Sequence, residues 1–182
     1  MSPPLADIVV VDLSSGIAGA YGTKLLADGG AEVVKVEAPA GDPLRGWSAS
    51  GASIPDGDDG ALFTFLSSSK QSVVADPEVD DDLDRVRALL DDADAVVWSR
   101  GSRLAAHPSL VPEALRRDHP HLVVTAITPF GLDGPWSDRP ATELTLQAWS
   151  GAIVGLGRGS SDRPPVCVGG RIGECLEGLV GA

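Results

Sequence analysis

Blocks of apolar and polar residues alternate along the chain and predict alternating strands and helices. The β-branched apolar runs at residues 8–11 and 31–37 are typical of strands that are covered on both faces. A helical pattern at 18–27 lies between them, and Gly29 and Gly30 are expected to end it. Apolar stretches at 63–65 and 71–75 flank a polar turn, and further strands are predicted at 95–98 and 121–127.

An acidic segment in the middle of the chain predicts an amphipathic helix. The apolar residues Val79, Leu83, Val86, Leu90 and Ala93 recur at helical spacing, and nine acidic residues between 76 and 94 supply a solvated face. Shorter helices are predicted at 112–117 and 143–150, and another begins near the end of the chain. This alternation predicts an α/β, Rossmann-like fold, with a largely parallel sheet and helices on both faces.

Composition narrows the functional classes. A chain of 182 residues with 43% hydrophobic content is expected to form a single domain over residues 1–182. A net charge of −12 argues against nucleic-acid binding. No apolar run has membrane-spanning length, the N-terminus lacks the order of a secretion signal, and two cysteines make no disulfide framework. A cytoplasmic protein that acts neither on a membrane nor on nucleic acid is expected.

The turn after the first strand is the first candidate ligand site. Gly16, Gly19 and Gly22 resemble a dinucleotide fingerprint, and Glu37 lies where an acid would bind the ribose of a nicotinamide cofactor. The spacing is G-x-x-G-x-x-G, however, and it lacks the close glycine pair that lets a pyrophosphate approach the backbone. The alternative is that these glycines permit close packing.

Several separate segments, taken in order, carry a family resemblance. They are residues 12–14 with 18–19, 26–37, 41–45, 69–73, 93–97, 130–135 and 147–151. This ordered set resembles the family III coenzyme A (CoA) transferases, also called the carnitine/bile-acid CoA-transferase family. Members are about twice this length and form interlocked dimers, so the chain resembles their N-terminal half, without the smaller second domain. The final helix has apolar residues at its end and no polar cap, which also suggests a truncated chain or half of a larger assembly. The resemblance implies a homodimer or a complementary second half as the partner.

The resemblance implies that CoA or acyl-CoA is bound as a substrate, with no metal. Its contacts are assigned to Gly16, Ile17, Ala18, Arg45 and Lys70. Arginine and lysine suit the phosphates of CoA. The alternatives are an ion pair of Arg45 with Asp42 or Glu37, and a solvated turn for Lys70. The family often has Asn-Phe-Arg-Pro-Gly where this chain has residues 98–101, so Arg100 is assigned to the CoA contacts of a changed loop.

The resemblance places the catalytic carboxylate at Glu174, where the family has aspartate. A carboxylate moves CoA from an acyl-CoA donor to a carboxylic acid through a mixed anhydride and an enzyme-bound thioester. The alternatives are a helix-start glutamate stabilised by the dipole, and a non-catalytic CoA-binding or assembly half that needs a complementary chain. Glu177 is expected to face solvent, and Cys175 to be a small buried hydrophobe. A racemase of the same superfamily is disfavoured, because residues 141–144 lack its histidine.

Overall fold

The structure is a computed structural model that describes residues 2–156, 164 and 166–182. Five parallel strands form one sheet in the order β3-β2-β1-β4-β5. They are β1 (Val9–Asp12), β2 (Glu32–Glu37), β3 (Gln71–Val74), β4 (Ala95–Ser99) and β5 (Val123–Ile127). The predicted α/β class with a parallel sheet is confirmed.

Six α-helices accompany the strands. They are α1 (Ile17–Asp28), α2 (Ala61–Ser67), α3 (Asp80–Asp91), α4 (Pro112–Asp118), α5 (Glu143–Trp149) and α6 (Ile172–Gly181). The apolar stretch at 63–65 is part of α2, and short 3₁₀ turns cover Pro43–Gly46 and Ala152–Gly155. Part of the glycine-rich segment between α5 and α6 lies outside the described residues. No helix within the described residues is both long enough and apolar enough to cross a membrane.

Helices cover both faces of the sheet, as the burial of consecutive residues in the central strands requires. Val10 and Val97 pack with Ala27 of α1 on one face. Val11 and neighbouring strand residues pack with Leu90 of α3 on the opposite face. Side chains of adjacent strand residues point to opposite faces, so β1 is buried on both sides and shows no polar alternation over its apolar residues.

Val79 was predicted to belong to the buried stripe of α3, and that prediction is wrong. It is the residue that precedes the helix, with an extended backbone, and 44% of its surface is exposed. Leu83, Val86 and Leu90 form the buried stripe instead. The helical period does not apply to a residue outside the helix.

The strand order reverses between β1 and β4, which positions the candidate site. From β1 the chain continues through β2 to β3 on one side, whereas β4 and β5 lie on the other. In open α/β sheets the loops after two such neighbouring strands diverge and leave a crevice at the carboxyl edge. The turn after β1 and the end of β4 border that crevice here.

Two glycines bring α6 into direct backbone contact with α1. A Cβ atom added at Gly22 would lie 2.7 Å from the carbonyl oxygen of Gly178, and one added at Gly178 would overlap the carbonyl oxygen of Ala18. Any larger side chain at either position therefore forces the helices apart. Close packing of these glycines fixes α6, which carries Glu174, against the helix that begins at the β1–α1 turn.

Candidate active site

A cleft of about 360 Å³ lies at the carboxyl edge of β1 and β4. Several predicted site residues line it together: Gly16, Ile17, Ala18, Arg100 and Glu174. The turn after β1 and α6 are separated by more than 150 positions along the chain, so the fold brings them together. Arg45 and Lys70 are not among the residues that line this cleft.

The β1–α1 turn is shaped by glycine and held by side chains from other loops. Gly16 precedes α1 with φ 83°, a left-handed conformation that favours glycine. The backbone N–H of Ser15 donates to Ser99 Oγ at 2.9 Å, and that of Gly16 points to Asp42 Oδ2 at 3.4 Å. The turn is thus tied both to the end of β4 and to the loop after β2.

The other two glycines of the pattern serve packing. A Cβ atom at Gly19 would overlap the Ser14 side chain, and Gly22 contacts α6 as described above. This confirms the packing interpretation of Gly19 and Gly22. The spacing that resembled a dinucleotide fingerprint is explained by two close approaches to α1, one by Ser14 and one by α6.

Arg45 forms the ion pair that the sequence allowed as an alternative to CoA binding. Its Nε and Nη2 donate to the two carboxylate oxygens of Glu37, both at 2.8 Å, and its Nη1 donates to Asp59. The guanidinium lies 4.1 Å from the centre of the Phe63 ring. Glu37 is buried, which raises its pKa, but the bonds from Arg45 and from the Asp42 backbone outweigh burial and leave the pKa lowered. The Glu37 carboxylate is therefore already paired with Arg45 within the protein.

Lys70 is enclosed by α1, which rules out the alternative of a solvated turn lysine. Its Nζ donates to Thr23 Oγ1 at 2.6 Å and to the carbonyl oxygen of Ala20 at 2.8 Å, and it lies 3.6 Å from Asp12 Oδ2. Only 1% of the side chain is exposed. Burial lowers the pKa of Lys70 to about 8, against the attraction of Asp12.

Asp12 is the centre of this buried network. Ser14 donates to one of its oxygens through both its backbone N–H and its hydroxyl, and Thr23 donates to the other. Burial raises the pKa of Asp12, but Lys35, Lys70 and these hydrogen bonds together lower it. Lys35 has a second carboxylate, Asp42, at 3.2 Å, and donates to the carbonyl oxygen of Ser14 at 3.0 Å.

Lys35 and Lys70 thus share Asp12, but their pKa values shift in opposite directions. Burial disfavours the charge of Lys35, but Asp12 and Asp42 outweigh burial and raise its pKa. Lys70 has no second carboxylate among the described contacts and is repelled by Lys35, so its pKa is lowered. The contact of Lys35 with the Ser14 carbonyl links the network to the β1–α1 turn.

The candidate nucleophile is held by an arginine that the sequence interpretation missed. Arg171 Nε donates to Glu174 Oε2 at 3.0 Å, and its Nη2 donates to Oε1 at 2.5 Å. Each carboxylate oxygen of Glu174 therefore accepts one hydrogen bond from Arg171. Arg171, like Glu174, lines the cleft.

Glu143 at the start of α5 holds the first turn of α6. Its Oε1 accepts from the backbone N–H of Gly173 at 2.7 Å and from Gln147 Nε2 at 2.7 Å. Its Oε2 is buried without a hydrogen-bond partner among the described residues. A Cβ atom at Gly173 would lie 2.8 Å from this carboxylate, so glycine at 173 makes room for Glu143.

Glu177 was predicted to face solvent, and that prediction is wrong. It is half-buried and lines the cleft together with Glu174. Burial raises its pKa, and the charges of Glu174 and Glu143 raise it further. Residues three apart lie on one helix face, so the spacing of Glu174 and Glu177 already contained this information.

A second cavity of about 210 Å³ adjoins the cleft across the β1–α1 turn. Ser15 and Pro43 line both spaces, and the second is further lined by the loop after β2 and by Gly101, Ser102 and Arg103. The turn therefore separates two spaces, one that faces Glu174 and one that faces the loop after β4.

Comparison with known proteins identifies the family. The model of CoA-transferase family III matches residues 5–182. The chain belongs to this family. The predicted resemblance is thereby confirmed over nearly the whole chain.

Relatives and solved structures agree with this assignment. The succinate–glutarate CoA-transferase of Agrobacterium fabrum is 32% identical over 180 residues, which are 97% of this chain and 44% of that protein. Subunit BbsE of the succinyl-CoA:(R)-benzylsuccinate CoA-transferase of Thauera aromatica is 35% identical over 144 residues, 79% of this chain and 35% of that one. A crystal structure of a CAIB/BAIF family protein from Brucella suis superimposes with a TM-score of 0.83 at 30% identity, covering 99% of this chain and 48% of that one. The chain spans less than half the length of these proteins.

Proposed function

We propose that the chain takes part in the transfer of CoA from an acyl-CoA donor to a carboxylic acid, with Glu174 as the covalent carboxylate. The observation that carries this proposal is the position of Glu174 in the same cleft as the β1–α1 turn. Among the glycine turn, the basic residues and the carboxylate, only the carboxylate offers a nucleophile for a thioester carbonyl.

The cleft suits the reacting end of acyl-CoA. Its volume lies at the lower end of the range for small-molecule sites, so it accommodates the thioester and its neighbouring atoms rather than a whole CoA molecule. Gly16, Ile17 and Ala18 contact the CoA chain at the turn, and Arg100 provides positive charge on the β4 side. The nucleotide portion then extends over Ser15 and Pro43 towards the second cavity.

In the proposed reaction an oxygen of Glu174 attacks the acyl thioester. The oxygen–carbonyl bond forms, the carbon–sulfur bond breaks and CoA leaves as thiolate, which gives a mixed anhydride. The thiolate then attacks the carbonyl carbon of the Glu174 side chain and releases the acyl group as a carboxylate. An acceptor carboxylate repeats these two steps in reverse, so the cycle needs no external proton, oxidant or metal.

Arg45 and Lys70, the other two predicted CoA contacts, are proposed to act by different routes. Arg45 keeps part of its guanidinium at the surface, with 35% of the side chain exposed, and a phosphate of CoA replaces Asp59 as its partner. Lys70 is enclosed, so it supports the site through Asp12 and α1. Substitution of Arg45 is therefore expected to weaken CoA binding more than substitution of Lys70.

The remaining features of the whole protein are also proposals. We take residues 1–182 as a single Rossmann-like domain that corresponds to the N-terminal half of its relatives. The smaller domain comes from further sequence or from a second chain, and the active protein is a homodimer or pairs with a complementary half. A reducing, cytoplasmic setting fits the two free cysteines, Cys167 and Cys175.

A second candidate function is a non-catalytic CoA-binding or assembly half. Two observations favour it: Arg171 occupies both oxygens of Glu174, and α6 exposes apolar side chains, among them Val180 at 88%. In this alternative the reactive carboxylate is supplied by the complementary chain.

Trapping of the covalent intermediate separates the two functions. The protein encoded by the native gene is incubated with acyl-CoA and then with hydroxylamine or borohydride, and its peptides are examined by mass spectrometry. We expect a hydroxamate or an alcohol at Glu174 in the wild type and none in Glu174→Gln. Glu174→Asp shortens the side chain by one methylene, and misplacement of that size reduces turnover on the order of a hundredfold.

CoA binding provides the matched readout. Calorimetry is expected to show CoA binding by both wild type and Glu174→Gln, because the turn is unchanged. Binding without any adduct in the wild type contradicts the transferase proposal and supports the assembly alternative. Arg45→Gln together with Arg100→Gln is expected to lose CoA binding under both functions. Binding is measured below the unfolding temperature of this variant, which falls because buried Glu37 loses its partner. A nicotinamide site would instead bind the dinucleotide in place of CoA.

A further inference from the structure

Arg171 occupies a position that local preferences disfavour. Its backbone lies in the left-handed region, at φ 57° and ψ 37°, and Ser69 is the only other non-glycine residue with positive φ in the described part of the chain. It also precedes α6 directly, so its positive charge faces the positive end of the helix dipole. Conformation and charge both oppose an arginine here, and such a position commonly marks a functional constraint.

Arg171 is not needed to cap α6. Glu143 Oε1 already accepts a hydrogen bond from the backbone N–H of Gly173. The side chain of Arg171 makes no capping hydrogen bond to the helix. The side chain of Arg171 instead reaches along the helix to Glu174, with two donors on two oxygens. This bond to Glu174 raises the pKa of Arg171, so the guanidinium keeps its charge throughout the functional pH range.

The proposed reaction changes the partner of this guanidinium. As an anhydride or thioester, the Glu174 side chain is neutral and offers a much weaker acceptor than a carboxylate. While Glu174 is an anhydride, the released negative charge is on the CoA thiolate. Once Glu174 is a CoA thioester, that charge is on the free acid that leaves or enters. A planar guanidinium fork matches any carboxylate in the same two-donor geometry.

We propose that Arg171 binds the free carboxylate of the acid substrate once Glu174 carries CoA as a thioester. The guanidinium passes from Glu174 to the departing acid and from the entering acid back to Glu174. This inference rests on the proposed transferase function and makes Arg171 a residue that contacts substrate in the second half of each exchange. No bond to Arg171 is made or broken other than hydrogen bonds.

Arg100 and Arg171, the two cations that line the cleft among the described residues, therefore have separate tasks. Arg100 lies after β4, on the side of the turn assigned to CoA, and its Nη1 donates to Asp138 at 2.7 Å. Arg171 lies beside the reactive carboxylate. Removal of Arg171 is expected to weaken use of the acid, and removal of Arg100 is expected to weaken use of acyl-CoA.

Steady-state kinetics of the native-gene protein test this division. In Arg171→Gln we expect the KM of the acceptor acid to rise about tenfold to a hundredfold, the range for loss of a charge-assisted pair. The KM of acyl-CoA is expected to change less than about threefold, and the Glu174 adduct still forms from acyl-CoA. In Arg100→Gln we expect the KM of acyl-CoA to rise and the KM of the acceptor acid to change less than about threefold. Arg87→Gln is the matched control, because Arg87 pairs with Asp84 at the same three-residue spacing on α3, outside the cleft.

Chemical rescue distinguishes direct contact from a structural effect. Free guanidinium is expected to lower the raised acid KM of Arg171→Ala and to leave Arg87→Ala unchanged. Arg171→Lys supplies a positive charge without the planar two-donor geometry of guanidinium. Its KM for the acid is expected to lie between those of the wild type and Arg171→Gln. If Arg171→Gln does not fold, Arg171→Lys is the variant used for kinetics.

Two results overturn the inference while the proposed function stands. One is an unchanged acid KM in Arg171→Gln and Arg171→Lys. The other is an equal loss of adduct formation and turnover in both variants without rescue by guanidinium, which indicates that Arg171 only orients Glu174. Absence of any Glu174 adduct in the wild type is a separate outcome, and it overturns the proposed function and this inference together.

Discussion

The region beneath the β1–α1 turn and the region around α6 both place charges near one cleft, but they do so in opposite ways. Beneath the turn, Asp12, Lys35 and Lys70 are almost wholly enclosed, and every charge has fixed partners. Around α6, Arg171 and Glu174 lie at the cleft surface, and Glu143 keeps one buried oxygen without a described partner. The first region is built for rigidity, whereas the second has polar groups whose partners are able to change.

The largest expected difference between the regions is in stability. Asp12→Ala leaves Lys70 buried without a carboxylate, and removal of one partner from a buried ion pair costs about 3–5 kcal/mol. Glu174→Gln removes the charge of the carboxylate that Arg171 holds at the cleft surface, and it is expected to change the free energy of unfolding by less than about 1 kcal/mol. Equilibrium urea unfolding measures both, and equal effects would remove the distinction between the regions.

The free energy of unfolding is expected to depend on pH because Lys70 and Lys35 are buried beside Asp12. The pKa of Lys70 is about 8 in the folded protein, below its ordinary value of 10.5, so between these values the unfolded state binds more protons. The free energy of unfolding therefore rises with pH over this window, by up to about 3 kcal/mol from this group. The rise ends near 10.5, because above that pH Lys70 has lost its proton in the unfolded state as well. The pKa of Lys35 is raised in the folded protein, so the free energy of unfolding falls at still higher pH.

Urea titrations at pH 8, 9 and 10 measure this rise. Lys70→Met retains much of the side-chain volume without a titrating group and is expected to show a flat profile. A wild-type profile that is equally flat contradicts the buried position of Lys70.

A smaller effect is expected where the two regions meet. Gly178→Ala forces α6 away from α1 and is expected to cost about 1–3 kcal/mol, as overpacking does. Val180→Ser in the same helix alters a side chain that is 88% exposed and is expected to stay within about 0.5 kcal/mol. Hydrogen exchange of α6 checks the cause: protection falls in Gly178→Ala and is retained in Val180→Ser. Equal protection in both variants contradicts the close packing of α6 on α1.

The sheet could be predicted from sequence because its determinants are local. The β-branched runs and the helical period of Leu83, Val86 and Leu90 depend on neighbours within one or two turns, and the structure confirms both. Val79 was misplaced because the period was extended by one residue past the start of the helix. Element types were thus more predictable than element ends.

The partners of the basic residues were not predictable in the same way. The carboxylates that engage Lys70 and Arg45 include Asp12, Glu37 and Asp59, which reach them only through folding. A sequence shows that a lysine is available, whereas only the fold shows that another part of the protein already holds it. For Glu177 a signal did exist, since three-residue spacing from Glu174 places it on the same helix face. Arg171 precedes the helix, so its contact with Glu174 was not predictable from helical spacing.

The contact between Gly22 and Gly178 has a consequence for how this site diversifies. In the proposed function, α1 begins at the turn that holds CoA, and α6 carries the atom that attacks. Because their backbones touch, the distance between cofactor and nucleophile is set by a rigid helix pair and not by the surrounding loops. The loops that shape the acid site are then free to accept new sequences and new acids, while the reacting atoms keep their separation.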